Sequence, residues 1–258
     1  MKQMTPRSLL VLSFLFTLSC GKATDRDTLG DAQICLDNVT IANPDAADAC
    51  VEKVSAITTK AGDSIRCAGA FVKEGFTDAS SLVATFSAVS SGSGSSAFLG
   101  SLVFDGRNST NLTTTAGAES YYTQAMKAST YCASAGLKVG TLLTTFSFLG
   151  NAMINLACKA TATCGVGIFS TTNPLDAVNL VSYLTNTSNT SAISQIYTDI
   201  GTLVINSYLI SCTGTVVNAT LCENVTTAVT TGGGTSAPAG VGKAFLKTVF
   251  SSTLSTLP

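Results

Sequence analysis

Nine cysteines and no histidine bound the chemistry open to this chain. Without imidazole there is no Ser-His-Asp triad, no Cys-His dyad and no histidine-held metal. No Cys-x-x-Cys pair occurs, so a four-cysteine zinc site lacks its usual spacing. The sequence therefore assigns no catalytic residue, no metal and no cofactor. The carboxylate pairs Asp25/Asp27 and Asp45/Asp48 fall in a polar stretch and at a helix start. There acidic side chains solvate the chain or complement a helix dipole. Gly165-Val166-Gly167 lacks the third glycine and preceding strand of a dinucleotide loop, and Gly240-Val241-Gly242-Lys243 lacks the Ser or Thr of a phosphate loop. Both read as turns. No Gly-x-Ser-x-Gly elbow occurs. Tyr121, Tyr122 and Tyr131 share one helical segment, where they read as packing residues. A non-enzyme is the expectation.

What remains is thiol chemistry, and Cys20 stands apart. It follows Met1, Lys2 and Arg7, then an apolar run from Leu9 to Leu18, and closes Thr17-Leu18-Ser19-Cys20. The run is too short for a bilayer span, which needs about 20 residues. A basic start, a short apolar stretch and a small residue define a secretory signal. Residues 1–22 resemble the bacterial lipoprotein signal-peptide class. Thr17 stands where that class usually has leucine, and Leu18 comes one place later. The resemblance implies removal of residues 1–19, a diacylated thioether on Cys20 and acylation of its new amino group. Gly21, in place of aspartate, implies sorting to the outer membrane. Each buried CH₂ of an acyl chain contributes about 0.8 kcal/mol, so several chains anchor stably.

Setting Cys20 aside leaves eight cysteines, an even number, in a chain bound for an oxidising compartment. Eight cysteines admit 105 pairings. Cys35 and Cys50 flank a turn at Asn43-Pro44, and an antiparallel hairpin brings them together. Cys212 and Cys222 flank a turn around Gly214, and Cys158 and Cys164 flank a shorter one. Cys67 and Cys132 pair by elimination.

The elements that must position these cysteines read as helices. Residues 20–31 read as a polar, lipid-anchored tether. A charged helical subdomain over 32–90 follows, with Ala32, Cys35 and Leu36 on one helix face. A second helix carries Ala46, Cys50 and Val54, a third is capped by Asp63 and broken by Gly75, and a fourth is capped by Thr77. Residues 91–116 read as a Ser/Gly-rich loop and an irregular segment. Leu102-Val103-Phe104 before Asp105-Gly106 suggests a hairpin or an irregular loop. Residues 117–258 form a charge-poor helical region, which either stands alone or shares one domain with 32–90. Its helices cover Gly117–Ala135, Leu137–Cys158, a start at Asn173-Pro174, Thr190–Cys212, Val216–Val229 and Pro238–Leu257. The expected fold is all-α, a disulfide-stapled multi-helix bundle of antiparallel helical hairpins.

Charge is unevenly spread: 16 charged residues lie between Lys22 and Asp78 and 11 between Ala79 and Pro258. Without residues 1–19 the side chains carry 12 basic and 15 acidic groups, and no basic stripe, so nucleic acid is not an expected partner. Val139 to Cys158 runs 20 residues without a charge, between Lys138 and Lys159. It has spanning length, but Asn151 and Asn155 lie four apart on one face, and unpaired asparagine is costly in hydrocarbon. It reads as the central helix of a bundle; lipid contact or oligomer packing is the alternative. The seven Asn-x-Ser/Thr sequons, at Asn38, Asn108, Asn111, Asn186, Asn189, Asn218 and Asn224, are expected by accident in a chain so rich in Ser and Thr.

Two functions follow. The first is a non-enzymatic outer-membrane lipoprotein of the cell envelope that binds or scaffolds an envelope partner. The second is an oligomeric, membrane-associated or lipid-handling assembly that uses residues 79–258. Covered apolar faces favour the first, and a continuous exposed apolar belt the second.

Overall fold

Apolar residues recur at intervals of three and four, and that period wraps the chain into helices that must bury one stripe each. A computed structural model describes residues 23–40, 42–76, 102–104, 112–161, 164, 182–216 and 218–249. Among them all regular structure is helical: α1 (Ala23–Asp37), α2 (Ala46–Glu52), α3 (Lys60–Lys73), α4 (Thr115–Ala135), α5 (Lys138–Thr161), α6 (Thr190–Ser207), α7 (Ala219–Thr231) and α8 (Pro238–Val249). The protein has an all-α multi-helix fold.

Short turns set the topology. Gly136, at φ 75°, ends α4 in the left-handed conformation that glycine adopts freely, and α5 returns along α4 as an antiparallel hairpin. A π-helical turn, Tyr208–Cys212, ends α6. Asn218 caps α7, its side chain accepting from Leu221 N at 3.0 Å. α8 returns against both α6 and α7.

Two cores result. The larger joins α4 to α8 around Phe104, Phe146, Phe148, Met153 and Phe245. The smaller holds α1, α2 and the start of α3 together through Ala32, Leu36, Ala47, Val54 and Ile65. The C-terminal half of α3 belongs to both: Val72 packs on the smaller core and Phe71 on the larger, with Phe71 edge-on to Phe104 at 6.1 Å.

The structure corrects the sequence reading at α1, at the start of α3 and at Leu102–Phe104. Residues 23–31 are not tether but the first turns of α1; their polarity reflects a helix buried on one narrow stripe, with Leu29 on the smaller core. Thr59, not Asp63, caps α3 by accepting from Gly62 N, and Asp63 instead pairs with Arg66 at 2.9 Å. Leu102–Phe104 forms no strand; all three side chains are buried. The Thr77 cap, the Ser/Gly-rich loop, Asp105-Gly106, Asn173-Pro174 and residues 250–257 of the last helix lie outside the described residues.

Candidate functional site

Eight cysteines form four intrachain bridges. Cys35–Cys50 ties α1 to α2, Cys67–Cys132 ties α3 to α4, Cys158–Cys164 joins the last turns of α5 to residue 164, and Cys212–Cys222 clasps the end of α6 to α7. These are the four pairs that turn spacing and elimination predict. Cys20 lies outside the described residues.

Cys67–Cys132 is the bridge that links the two cores. Both cysteines are buried, and Gly140 at the start of α5 seats against their sulfurs, which would stand 3.1 and 3.3 Å from any Cβ there. Beside it Arg66 stacks on Tyr131, 5.6 Å from the ring centroid, and donates to the backbone oxygens of Val54 and Ser55. Arg66 thus fastens the α2–α3 turn to α4.

α5 is buried on every side from Gly140 to Cys158. Its spanning length and uncharged stretch serve a protein interior: the apolar window is fully enclosed by the chain's own helices. Its polar side chains bond locally. Thr144, Thr145 and Ser147 donate to carbonyls four residues back, and Asn151 Nδ2 donates to Ser147 O at 3.0 Å. Thr145 Oγ1 and Ser207 Oγ share a 2.5 Å hydrogen bond between α5 and α6, and Ser211 donates to Lys138 O at 2.7 Å. Asn151 Oδ1 and Asn155 Oδ1 are buried without a partner. The bracketing lysines stay exposed: Lys138 donates to Thr215 O, and Lys159 stands 4.0 Å from Glu119.

Spacing alone does not find the pair at the α4–α6 interface. Tyr122 donates to Asp199 Oδ2 at 2.7 Å, and Gln195 Nε2 donates to Asp199 Oδ1 at 2.7 Å. Burial, then the bond to this carboxylate, holds the Tyr122 phenol far above its ordinary pKa. The residues lie 77 apart in sequence, so no local pattern announces them.

The remaining motifs have structural roles. Gly240-Val241-Gly242-Lys243 is not a turn but lies within the first two turns of α8, and a Cβ on Gly242 would lie 1.9 Å from Tyr197 O. Its glycines serve close packing. Tyr121 packs on the larger core. Asn186 and Asn218 use their side-chain oxygens as helix caps, which gives two of the sequons a bland origin. Asn38 donates to Ile34 O at the end of α1. Asp48 pairs with Lys73 at 2.6 Å. Among the described residues no three metal-ligating side chains converge. Gly165-Val166-Gly167, Asn108 and Asn111 lie outside them.

Among the described residues four large apolar side chains are exposed: Ile34, Val139, Leu209 and Val216. Three sit near one end of the larger core, where Lys138 meets Thr215. Ile34 stands alone on α1, away from them in sequence. No protein-family model, no curated protein and no solved structure matches this chain.

Proposed function

We propose that this protein is an outer-membrane lipoprotein, anchored through acylated Cys20, whose helical body binds or scaffolds a partner in the cell envelope without catalysing a reaction. One observation carries the anchor: eight of the nine cysteines bridge each other, leaving Cys20 no cysteine partner within the chain. An unpaired thiol directly after a small residue and an apolar run is the acceptor that the lipoprotein signal class modifies. The bridges fit an oxidising compartment, where a staple closing a long loop survives. The absence of histidine from the whole sequence supports the non-enzymatic part of the reading.

The enclosure of α5 favours a scaffold over a lipid-handling assembly. The longest uncharged stretch spends its apolar surface on the chain's own helices, and no apolar belt runs across the described residues. The test is liposome flotation and sedimentation of a Cys20→Ser chain made without residues 1–19. A soluble monomer that stays off neutral vesicles is expected. Tight binding to such vesicles, or a defined oligomer, would transfer the reading to the lipid-handling alternative.

A further inference from the structure

We infer that the exposed stripe of α1 formed by Asp27, Gly30, Asp31 and Ile34 is a docking surface for a cationic segment of another membrane-borne protein. The four residues stand at i, i+3, i+4 and i+7, so they share one face, and all are exposed. Ile34 is 62% exposed, the most exposed of the large apolar side chains among the described residues. Gly30 sits inside a helix, where glycine costs about 1 kcal/mol relative to alanine, yet a Cβ there would meet nothing within 4 Å. Asp27 and Asp31 place like charges four residues apart, which weakens a helix. No ion pair among the described residues engages either of them. The glycine and the like-charge pair both weaken the helix, and Ile34 leaves apolar surface in water beside them, with no compensating contact among the described residues; a partner on this face would supply it.

Charge selects the occupant. α1 carries Asp25, Asp27, Asp31 and Asp37 against Arg26 alone. A second copy would set aspartates against aspartates, and anionic headgroups would be repelled. A segment bearing Lys or Arg pairs with Asp27 and Asp31, its backbone approaches at Gly30, and an apolar residue covers Ile34. Place narrows it further, and here the inference rests on the anchored reading. Only Gly21 and Lys22 separate Cys20 from α1. Three peptide steps reach about 10 Å, and α1 to Ile34 adds about 17 Å. The stripe therefore lies within about 30 Å of the anchoring membrane, in reach of other membrane proteins.

The experiment is photo-crosslinking in cells from a benzoylphenylalanine at position 38 of the full-length chain, one turn beyond Ile34, with the same probe at position 209 as control. The expected result is an adduct at 38, absent at 209, with a Lys- or Arg-rich peptide of another protein. It should fall at least ten-fold in Gly30→Leu and in the double variant Asp27→Lys, Asp31→Lys. Gly30→Leu sets its Cβ in open space, and disulfide-intact accumulation checks that the fold is kept. An adduct with a second copy or with lipid, an adduct insensitive to the variants, or no adduct would overturn the inference. Intact mass of the same protein reads acylation of Cys20 separately.

Discussion

The Tyr122 hydroxyl and the Asp199 carboxylate meet at 2.7 Å across the α4–α6 interface, a hydrogen bond from a buried phenol to a half-buried carboxylate. Such bonds are worth more than neutral ones, and here solvent and Gln195 share the carboxylate. Tyr122→Phe should therefore cost about 1.5 kcal/mol at neutral pH. Alkaline titration gives a second signature. Tyr122 is raised in the folded state, so its contribution is complete below the ordinary value of 10.0 and is lost as pH rises above it, because only the unfolded chain ionises there. The wild-type advantage over Tyr122→Phe should shrink by about 1.4 kcal/mol per pH unit above that value. Urea midpoints at neutral pH and near pH 11 measure both effects; a gap independent of pH would remove the linkage.

Two glycines should answer the same substitution in opposite directions. A Cβ on Gly201 would lie 1.7 Å from Pro238 O, so Gly201→Ala must push α8 off α6. Overpacking of this kind costs about 1–3 kcal/mol, and more where backbone must move. Gly30→Ala has open space and should stabilise α1 by about 0.5–1 kcal/mol. Thermal unfolding of the two variants separates these outcomes by sign. Destabilisation by Gly30→Ala would show that this face of α1 is packed against a neighbour.

The four bridges should rank by the loop they close. Sequence separations are 65 for Cys67–Cys132, 15 for Cys35–Cys50, 10 for Cys212–Cys222 and 6 for Cys158–Cys164. Loop-closure entropy assigns about 4, 3, 3 and 2 kcal/mol in that order. Paired Cys→Ala variants, each unfolded in urea under non-reducing conditions, would give the series. The Cys67/Cys132 variant should also lose cooperativity, since that bridge fastens the smaller core to the larger. A single sharp transition in that variant would show that Phe71 and Arg66 suffice to hold the two together.

The helices were legible because apolar spacing is a local property. Gly136 and Pro238 sit where stop and start signals belong, whereas α7 begins at Ala219 behind the Asn218 cap, three residues after the start that apolar spacing suggests. Three of the four disulfides were legible for the same reason: a turn between two cysteines brings them together. Cys67–Cys132 came by elimination, because nothing local joins residue 67 to residue 132. Residues 23–31 of α1 read as tether because Leu29 stands alone among Asp, Arg, Thr and Gly, while Ala32, Cys35 and Leu36 show the helix period of the rest. The Tyr122–Asp199 pair and the Gly201–Pro238 approach were invisible, since each exists only after helices distant in sequence pack. Asn151 and Asn155 argued against lipid from composition alone, and both stand buried within the protein.

Acylation of Cys20 is the prediction on which the functional reading turns. The eight other cysteines are joined in pairs, so oxidation within one chain cannot consume this thiol. If lipid occupies it, full-length protein made in a bacterial host with a lipoprotein pathway should partition with membranes, and detergent should be needed to extract it. Its mass should exceed that of residues 20–258 by the mass of its acyl groups. Cys20→Ser should abolish both properties while the four bridges and helix content persist, because none of the four bridges and neither core uses Cys20. A mature protein whose mass equals the bare polypeptide, released without detergent, would end the lipoprotein reading. It would leave a secreted, disulfide-stapled helical protein with one free thiol.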